Sequence, residues 1–308
     1  MLILGRKYKF TQFEKQRLRK NKIRTTVVRY SGKEPSLVLD EIKAVIQKNK
    51  CRTIVLNTKL KVDDTIIKYL TNLQFEQNIN IIVIESFLEK YLQKCYIPEN
   101  HKELHYLENI KRFNTWQYIQ KRLIDYFGLF GLFFFAWPVM LLCKKKIKEQ
   151  SPGPIYFKQD RVGYKNKEFK CTKFRSMRLD AEKNGAQFAT QDDPRVFPWG
   201  KTMRKTRFDE LPQMINILKG EMHLIGPRPE RAFWIEQFEK EIPYYNERHL
   251  VRPGITGWAQ VMYPYGENVE DAKQKLMYDL YYIKHWNILL ELKVVYKTAL
   301  VVMGKRGV

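Results

Sequence analysis

The sequence predicts an α/β protein: an N-terminal parallel, Rossmann-like α/β domain, then a re-entrant membrane helix, then a mostly helical α+β domain. Three observations carry that expectation. Over residues 1–100, short β-branched runs alternate with segments of helical period. A single apolar block stands at 123–143, with basic residues on both sides. Beyond it the chain returns to soluble patterning, with one hairpin signal followed by helical segments.

The strands of the first domain are MLIL, TTVVRY, CRTIVL and NIIVIES. Between them FTQFEKQRLRKN, PSLVLDEIKAVIQKNK and DDTIIKYLTNLQFEQ have helical spacing, with Val38, Ile42, Val45 and Ile46 on one face. Such alternation favours a parallel sheet covered by helices. The first turn holds only Gly5, and the second strand ends in Arg29-Tyr30. A dinucleotide site requires a glycine-rich turn and an acid at the end of that strand. Residues 1–100 therefore read as a nucleotide-type fold with no cofactor, in a structural, regulatory or dimerisation role.

Residues 101–120, with His101, His105 and Glu108, read as a polar connector, and 121–146 as the membrane element. The run LIDYFGLFGLFFFAWPVMLLC would reach about 31 Å as a straight helix, just enough to span a bilayer core. Three features argue against simple spanning. Pro138 lies inside the run, where it removes a backbone hydrogen bond and bends a helix. Asp125 lies near its start, where burial in lipid is costly. Lys121 and Arg122 on one flank, and Lys144 to Lys146 on the other, both prefer the cytoplasmic side. A helix broken at Pro138, entering and leaving on one face, satisfies all three; a buried core helix is the alternative.

The 308 residues carry a formal net charge of +23, which points to polyanionic company: nucleic acid, an anionic membrane face or phosphorylated substrates. The apolar block is left unexplained by nucleic-acid binding, so no nucleic-acid partner is expected. Cys51, Cys95, Cys143 and Cys171 lie far apart and read as thiols of a reducing compartment.

In the last domain, 147–308, apolar runs at 155–157 and 169–174 flank a Gly/Asn/Lys turn, the pattern of a β-hairpin. DAEKNGAQFATQDDPRV reads as a loop, and RKTRFDELPQMINILKG as one helix closing at Gly220. WNILLELKVVYKTALVVM is amphipathic, and either lies in a membrane interface or packs on the domain core.

The chemistry concentrates in TRFDELPQMINILKGEMHLIGPRPE. Asp209 and Glu210 precede Pro212, which places them at or beside a helix start. Helix starts favour phosphate, and adjacent acids there can ligate Mg²⁺. One of the acids could instead attack phosphorus and form an acyl phosphate. Arg228, held between Pro227 and Pro229, suits bidentate phosphate binding.

Together with SPGPIYFKQDRVG, FKCTKFRSM, DPRV, VRPGITGWAQV and KLMYDLYYIKHWN, this stretch resembles the bacterial sugar transferase family, the monotopic phosphoglycosyl transferases, over about residues 115–308. The resemblance implies that 147–308 is a catalytic domain. It would move a sugar-1-phosphate from a UDP-sugar to undecaprenyl phosphate, release UMP, and initiate exopolysaccharide or other glycoconjugate synthesis. By the same resemblance Asp209 is the nucleophile that carries the phospho-sugar. Glu210 is its partner in the dyad, associated with Mg²⁺. Lys173 and Arg228 sit near the donor phosphates, and Pro138 breaks the anchor. The setting implied is the cytoplasmic face of the bacterial inner membrane. The first hundred residues resemble the partial nucleotide-fold domain of larger members, which usually carry four transmembrane helices ahead of it; these are absent from this sequence. That domain is compatible with a homodimer. Where many members have an NGRN-type sequence after GWAQV, this chain has VMYPYGENVED, which resembles an exopolysaccharide-type subgroup.

Overall fold

A computed structural model describes every residue except 31, 100–107, 182, 184–192, 265, 267 and 305–308. The chain divides into two compact units, Met1–Tyr96 and Ile97–Val308.

In the first unit the expected alternation forms β1 (Leu2–Leu4), α1 (Gln12–Lys20), β2 (Thr26–Val28), α2 (Pro35–Asn49), β3 (Thr53–Leu56), α3 (Asp64–Glu76), β4 (Asn80–Val83) and the short α4 (Ile84–Phe87). The four strands are parallel in the order β2-β1-β3-β4. Val38 and Ile42 of α2, and Ile66, Leu70 and Leu73 of α3, bury with Leu2, Leu4 and Ile54. This is the burial that a helix-covered parallel sheet requires.

The crevice after β1 is stitched shut from within. Asn57 donates to the carbonyls of Gly5 and Tyr8 and accepts from the Tyr8 N–H at 2.7 Å. At the start of α1, Thr11 and Glu14 form a capping box. The fully buried Glu14 carboxylate is held there by Lys94 and by the Tyr8 hydroxyl.

The second unit opens on α5, a helix of 36 residues from Thr115 to Gln150, capped by Asn114 and Gln117. It begins within the expected connector, of which 101–107 lie outside the described residues. Helical backbone continues on both sides of Pro138. Its buried residues, Lys121, Asp125, Leu129, Ala136, Cys143 and Ile147, make one stripe down the whole helix. Along the stripe, Leu129 and Ala136 pack with Cys171, Ile217 and Met222, and Cys143 and Ile147 pack with Phe174, Phe197 and Met203. Gly128 allows the close approach, since a Cβ there would meet Leu224 Cδ1 at 2.3 Å. The opposite face is apolar and bare, with Phe127 76% and Phe135 81% exposed.

Two polar groups of α5 are buried in protein. Asp125 is fully buried, but it accepts from the Leu224 N–H at 2.9 Å and lies 2.5 Å from His223 Nδ1. Lys121, expected as a flanking cation, is also fully buried. It pairs with Glu291 at 3.0 Å and donates to the Ile225 carbonyl at 2.7 Å. Its charge is spent inside the fold and does not face a membrane surface.

The rest of the unit is the hairpin β5 (Tyr156–Val162) and β6 (Glu168–Phe174), then α6 (Pro198–Thr206), α7 (Met214–Leu218), β7 (His223–Ile225), α8 (Ala232–Glu241), β8 (Gly254–Thr256), α9 (Trp258–Met262), α10 (Val269–Lys284) and α11 (Ile288–Met303). The hairpin turns through Lys165 and Asn166, both at positive φ. The loop expected over 180–196 falls largely outside the described residues. The single helix expected over RKTRFDELPQMINILKG is instead three pieces. Arg207 takes φ +60°, ending α6, and Phe208–Gln213 form a 3₁₀ turn before α7. Pro212 lacks the N–H that a continuous α-helix needs at that point. α11 packs on the domain through Leu290, Glu291 and Val294, which are buried, while Leu289, Leu292, Val295 and Tyr296 are exposed on its other side.

Burial pushes the His223 imidazole from 6.5 down to about 4, against the pull of Asp125; the positive charges of Lys121 and Arg252 reinforce the drop. Between those two values the unfolded chain takes up a proton and the folded chain does not. His223's share of stability is therefore complete above pH 6.5 and is lost as pH falls towards 4. The gap is worth about 3 kcal/mol at most. The difference in unfolding free energy between wild type and His223→Asn, in which other titrating groups largely cancel, should shrink by that order between pH 7 and pH 4. A difference flat across this range would show that folding leaves the His223 pKa unshifted.

Candidate active site

The acidic pair sits on the 3₁₀ turn between α6 and α7. Phe208 and Leu211 bracket it and pack into the cluster around Cys143 and Ile147, so the turn is seated against the C-terminal half of α5. Both acids are buried, yet their surroundings differ.

Glu210 Oε1 accepts from Lys173 Nζ at 2.9 Å and from both terminal nitrogens of Arg228 at 3.2 Å, with Arg207 at 3.9 Å. Burial opposes its charge, but these three cations outweigh burial and hold the carboxyl well below the usual carboxylate range. Arg228 is correspondingly held more firmly protonated by Glu210. Among the described residues, neither oxygen of Asp209 accepts a hydrogen bond, and Oδ1 is fully buried. Burial, then the neighbouring Glu210 charge, pushes the Asp209 carboxyl upward against Lys173, Arg207 and Arg204. One acid thus anchors the cations, and the other keeps its lone pairs free and its basicity raised.

All four residues expected to act on phosphate, Lys173, Asp209, Glu210 and Arg228, converge here. Pro138 stands apart from them, within α5. Lys173 and Arg228 reach the site by holding Glu210, and each keeps donors to spare. An orphaned buried carboxylate oxygen beside a second carboxylate fits a hard cation. No cluster of three or more His, Cys, Asp or Glu occurs among the described residues. Mg²⁺ here would thus complete its shell from substrate phosphate and water, its usual habit.

Sequence reading missed the residues that hold these side chains in place. Asn216 accepts from the Thr172 N–H at 3.0 Å and donates to the Lys170 carbonyl at 2.8 Å, pinning the strand that carries Lys173. Arg248, paired with Asp279 at 2.9 Å, donates to the Arg228 carbonyl at 2.9 Å. Arg161 reaches the Pro229 carbonyl at 3.2 Å. Arg207, in the same motif as the acidic pair, joins them at Glu210, 3.9 Å from Oε1. Glycines close the frame: a Cβ on Gly254 would meet the Gly226 nitrogen at 2.1 Å, so the GPRP and RPGITG segments meet backbone to backbone.

Comparison with known proteins supplies the family. The chain is 51% identical, over 52% of its length, to the UDP-N-acetylgalactosamine-undecaprenyl-phosphate N-acetylgalactosaminephosphotransferase of Aeromonas hydrophila. It is 41% identical, over 61% of its length, to the UDP-glucose:undecaprenyl-phosphate glucose-1-phosphate transferase of Xanthomonas campestris pv. campestris. The matches span only 38% and 39% of those relatives, so this chain covers well under half of their length. A match covering 93% of the relative and 58% of this chain, at 36% identity, is to the exopolysaccharide production protein PSS of Rhizobium leguminosarum bv. phaseoli. The model of the family described as bacterial sugar transferase matches residues 116–305, more than half of the sequence. The chain belongs to the bacterial sugar transferase family.

Proposed function

We propose that this chain transfers a sugar-1-phosphate from a UDP-sugar to undecaprenyl phosphate, releasing UMP, as an initiating step of exopolysaccharide or related glycoconjugate synthesis. The observation that carries the reading is the division of labour in the acidic pair: a cation-clamped Glu210 beside a buried Asp209 with no hydrogen-bond partner. The names of the relatives supply the substrate classes, and they differ in the sugar.

In this mechanism a carboxylate oxygen of Asp209 attacks the β-phosphorus of the donor. The bond from that phosphorus to the bridging oxygen breaks, and its electron pair leaves with UMP. An oxygen of the lipid phosphate then attacks the same phosphorus, the Asp209–phosphorus bond breaks, and the lipid diphosphosugar departs. Each step exchanges one high-energy phosphorus–oxygen bond for another, which suits a covalent carrier. Lys173, Arg207 and Arg228 offer their remaining donors to the phosphate oxygens. Mg²⁺, held by Asp209 and Glu210, would supply charge neutralisation on the diphosphate.

The same reading places α5 as a re-entrant anchor at the cytoplasmic face of a bacterial inner membrane. Its support is the buried stripe. One domain packs on Lys121 near the start and on Ile147 near the end, which supports both ends of the helix staying with that domain on one side of the bilayer.

Enzyme incubated with UDP-sugar alone should release UMP and gain a sugar-phosphate adduct on the peptide containing Asp209, and Asp209→Asn should abolish both. UMP release that waits for the lipid would mean direct attack. Excess EDTA should stop turnover and added Mg²⁺ restore it, and Glu210→Gln should cost several orders of magnitude. Full activity in EDTA would remove the metal from the scheme. Single cysteines at Thr115 and Lys148, both exposed, should react with an impermeant maleimide in inverted vesicles and be protected in sealed spheroplasts. Labelling from opposite sides would replace the re-entrant anchor with a spanning one.

A further inference from the structure

We propose that a second ligand site, separate from the acidic pair, lies between the first turn of α5 and the segment entering β8, and that it takes a phosphate monoester. The site is an open pocket of about 270 Å³, lined by Asn114, Thr115, Tyr118, Tyr164, His223 and Arg252 among others. His223 opens β7 and Arg252 precedes β8, whereas Arg228 lies beyond the other end of β7. β7 and β8 are parallel, so the pocket and the acidic pair's cations occupy opposite ends of this small sheet.

Three groups converge on the pocket, each with unused capacity. The Arg252 guanidinium lies over the ring of Tyr118 at 4.5 Å and over that of Tyr164 at 5.4 Å. Among the described residues it has no carboxylate or carbonyl partner, so its donors are oriented and free. His223 is 1% exposed and lines the pocket; Asp125 holds its Nδ1, while Nε2 has no hydrogen-bond partner among the described residues. Asp125 is itself fixed by the Leu224 N–H, so it cannot turn away from Nδ1. The neutral imidazole donates from Nδ1 and presents Nε2 as an acceptor. Finally, Asn114 caps α5 through the Gln117 N–H, leaving the N–H groups of Thr115 and Trp116 unfilled at the positive end of a long helix.

This set asks for a ligand with anionic oxygens for Arg252 and the helix start, and one proton to give to Nε2. A monoprotonated phosphate monoester has both in one group. Sulfate and phosphodiesters carry the charge but have no proton to donate at neutral pH. The pocket exceeds a phosphate in size, which leaves room for the ester substituent. That substituent could belong to a soluble metabolite or to a lipid: Trp116 and Ile119, exposed on α5 beside the pocket, continue its bare apolar face.

The test uses the purified full chain in a Lys173→Ala/Arg228→Ala background, which disables anion binding at the acidic pair. Inorganic phosphate and glycerol 1-phosphate are titrated by calorimetry, with sulfate as the control. Retention on nanodiscs containing phosphatidic acid is compared with retention on phosphatidylcholine alone. Binding of phosphate or its ester, with sulfate at least ~10-fold weaker, is expected if Nε2 accepts a proton. Arg252→Gln should weaken binding at least ~10-fold and Arg252→Lys less, with ligand-induced shifts in melting temperature read beside the calorimetry so that a merely unstable variant is recognised. Arg252-dependent binding of the soluble probes assigns a soluble ester; dependence seen only with phosphatidic acid assigns a lipid phosphate. Equal binding of sulfate, or no response of either arm to Arg252→Gln, overturns the proposal.

Discussion

The second unit depends on a single constraint, that α5 must satisfy protein along one face and an apolar medium along the other. Its bare face carries Phe127, Phe130, Phe134 and Phe135 in a contiguous apolar surface, far more than a soluble helix leaves in water. Its protein face is not merely apolar. Lys121 and Glu291 form a buried pair joined by the hydroxyl of Tyr282 and the indole of Trp286. Removing one partner of such a pair typically costs about 3–5 kcal/mol, because the other charge is left without compensation. The pair therefore fixes which residues of α5 face the domain and ties the helix to α11, whose outer side is also apolar.

That orientation determines where chemistry can occur. Cys143 and Ile147 on the same stripe carry the packing of Phe208 and Leu211, and the acidic pair lies between those two residues. The turn holding Asp209 and Glu210 is thus referenced directly to the long apolar helix. Arg248 and Asn216 steady the cation-bearing segments from behind, so the geometry around Glu210 does not rely on long, free side chains. Pre-organised donors of this kind act without reorganisation when charge moves in the transition state.

The first unit is held together by its own buried side chains. Its parallel sheet and helices have the layout of a nucleotide-binding half. The helix start after β1 carries Glu14 paired with Lys94, and Asn57 ties the Gly5–Tyr8 loop by hydrogen bonds. Its energy goes into closing its own loop.

Much of this was legible in the sequence because it is local. Period and β-branching announced the parallel sheet, the Gly/Asn/Lys turn announced the hairpin, and the run from 123 to 143 announced α5. Asp209, Glu210, Lys173 and Arg228 were marked by long motifs and the family resemblance they carry, not by spacing alone. Tertiary structure decided the rest, because the partners lie far apart in the chain. Lys121 reads as a flanking cation until Glu291, 170 residues away, is seen to neutralise it. Asp125 reads as a cost until His223 and Leu224, nearly a hundred residues on, are seen to satisfy it. The helix expected through Asp209 breaks because Arg207 turns left-handed, which local propensity does not foretell. Which of the two acids is clamped and which left free follows from three cations on separate segments meeting at one oxygen, a convergence that only the folded chain specifies.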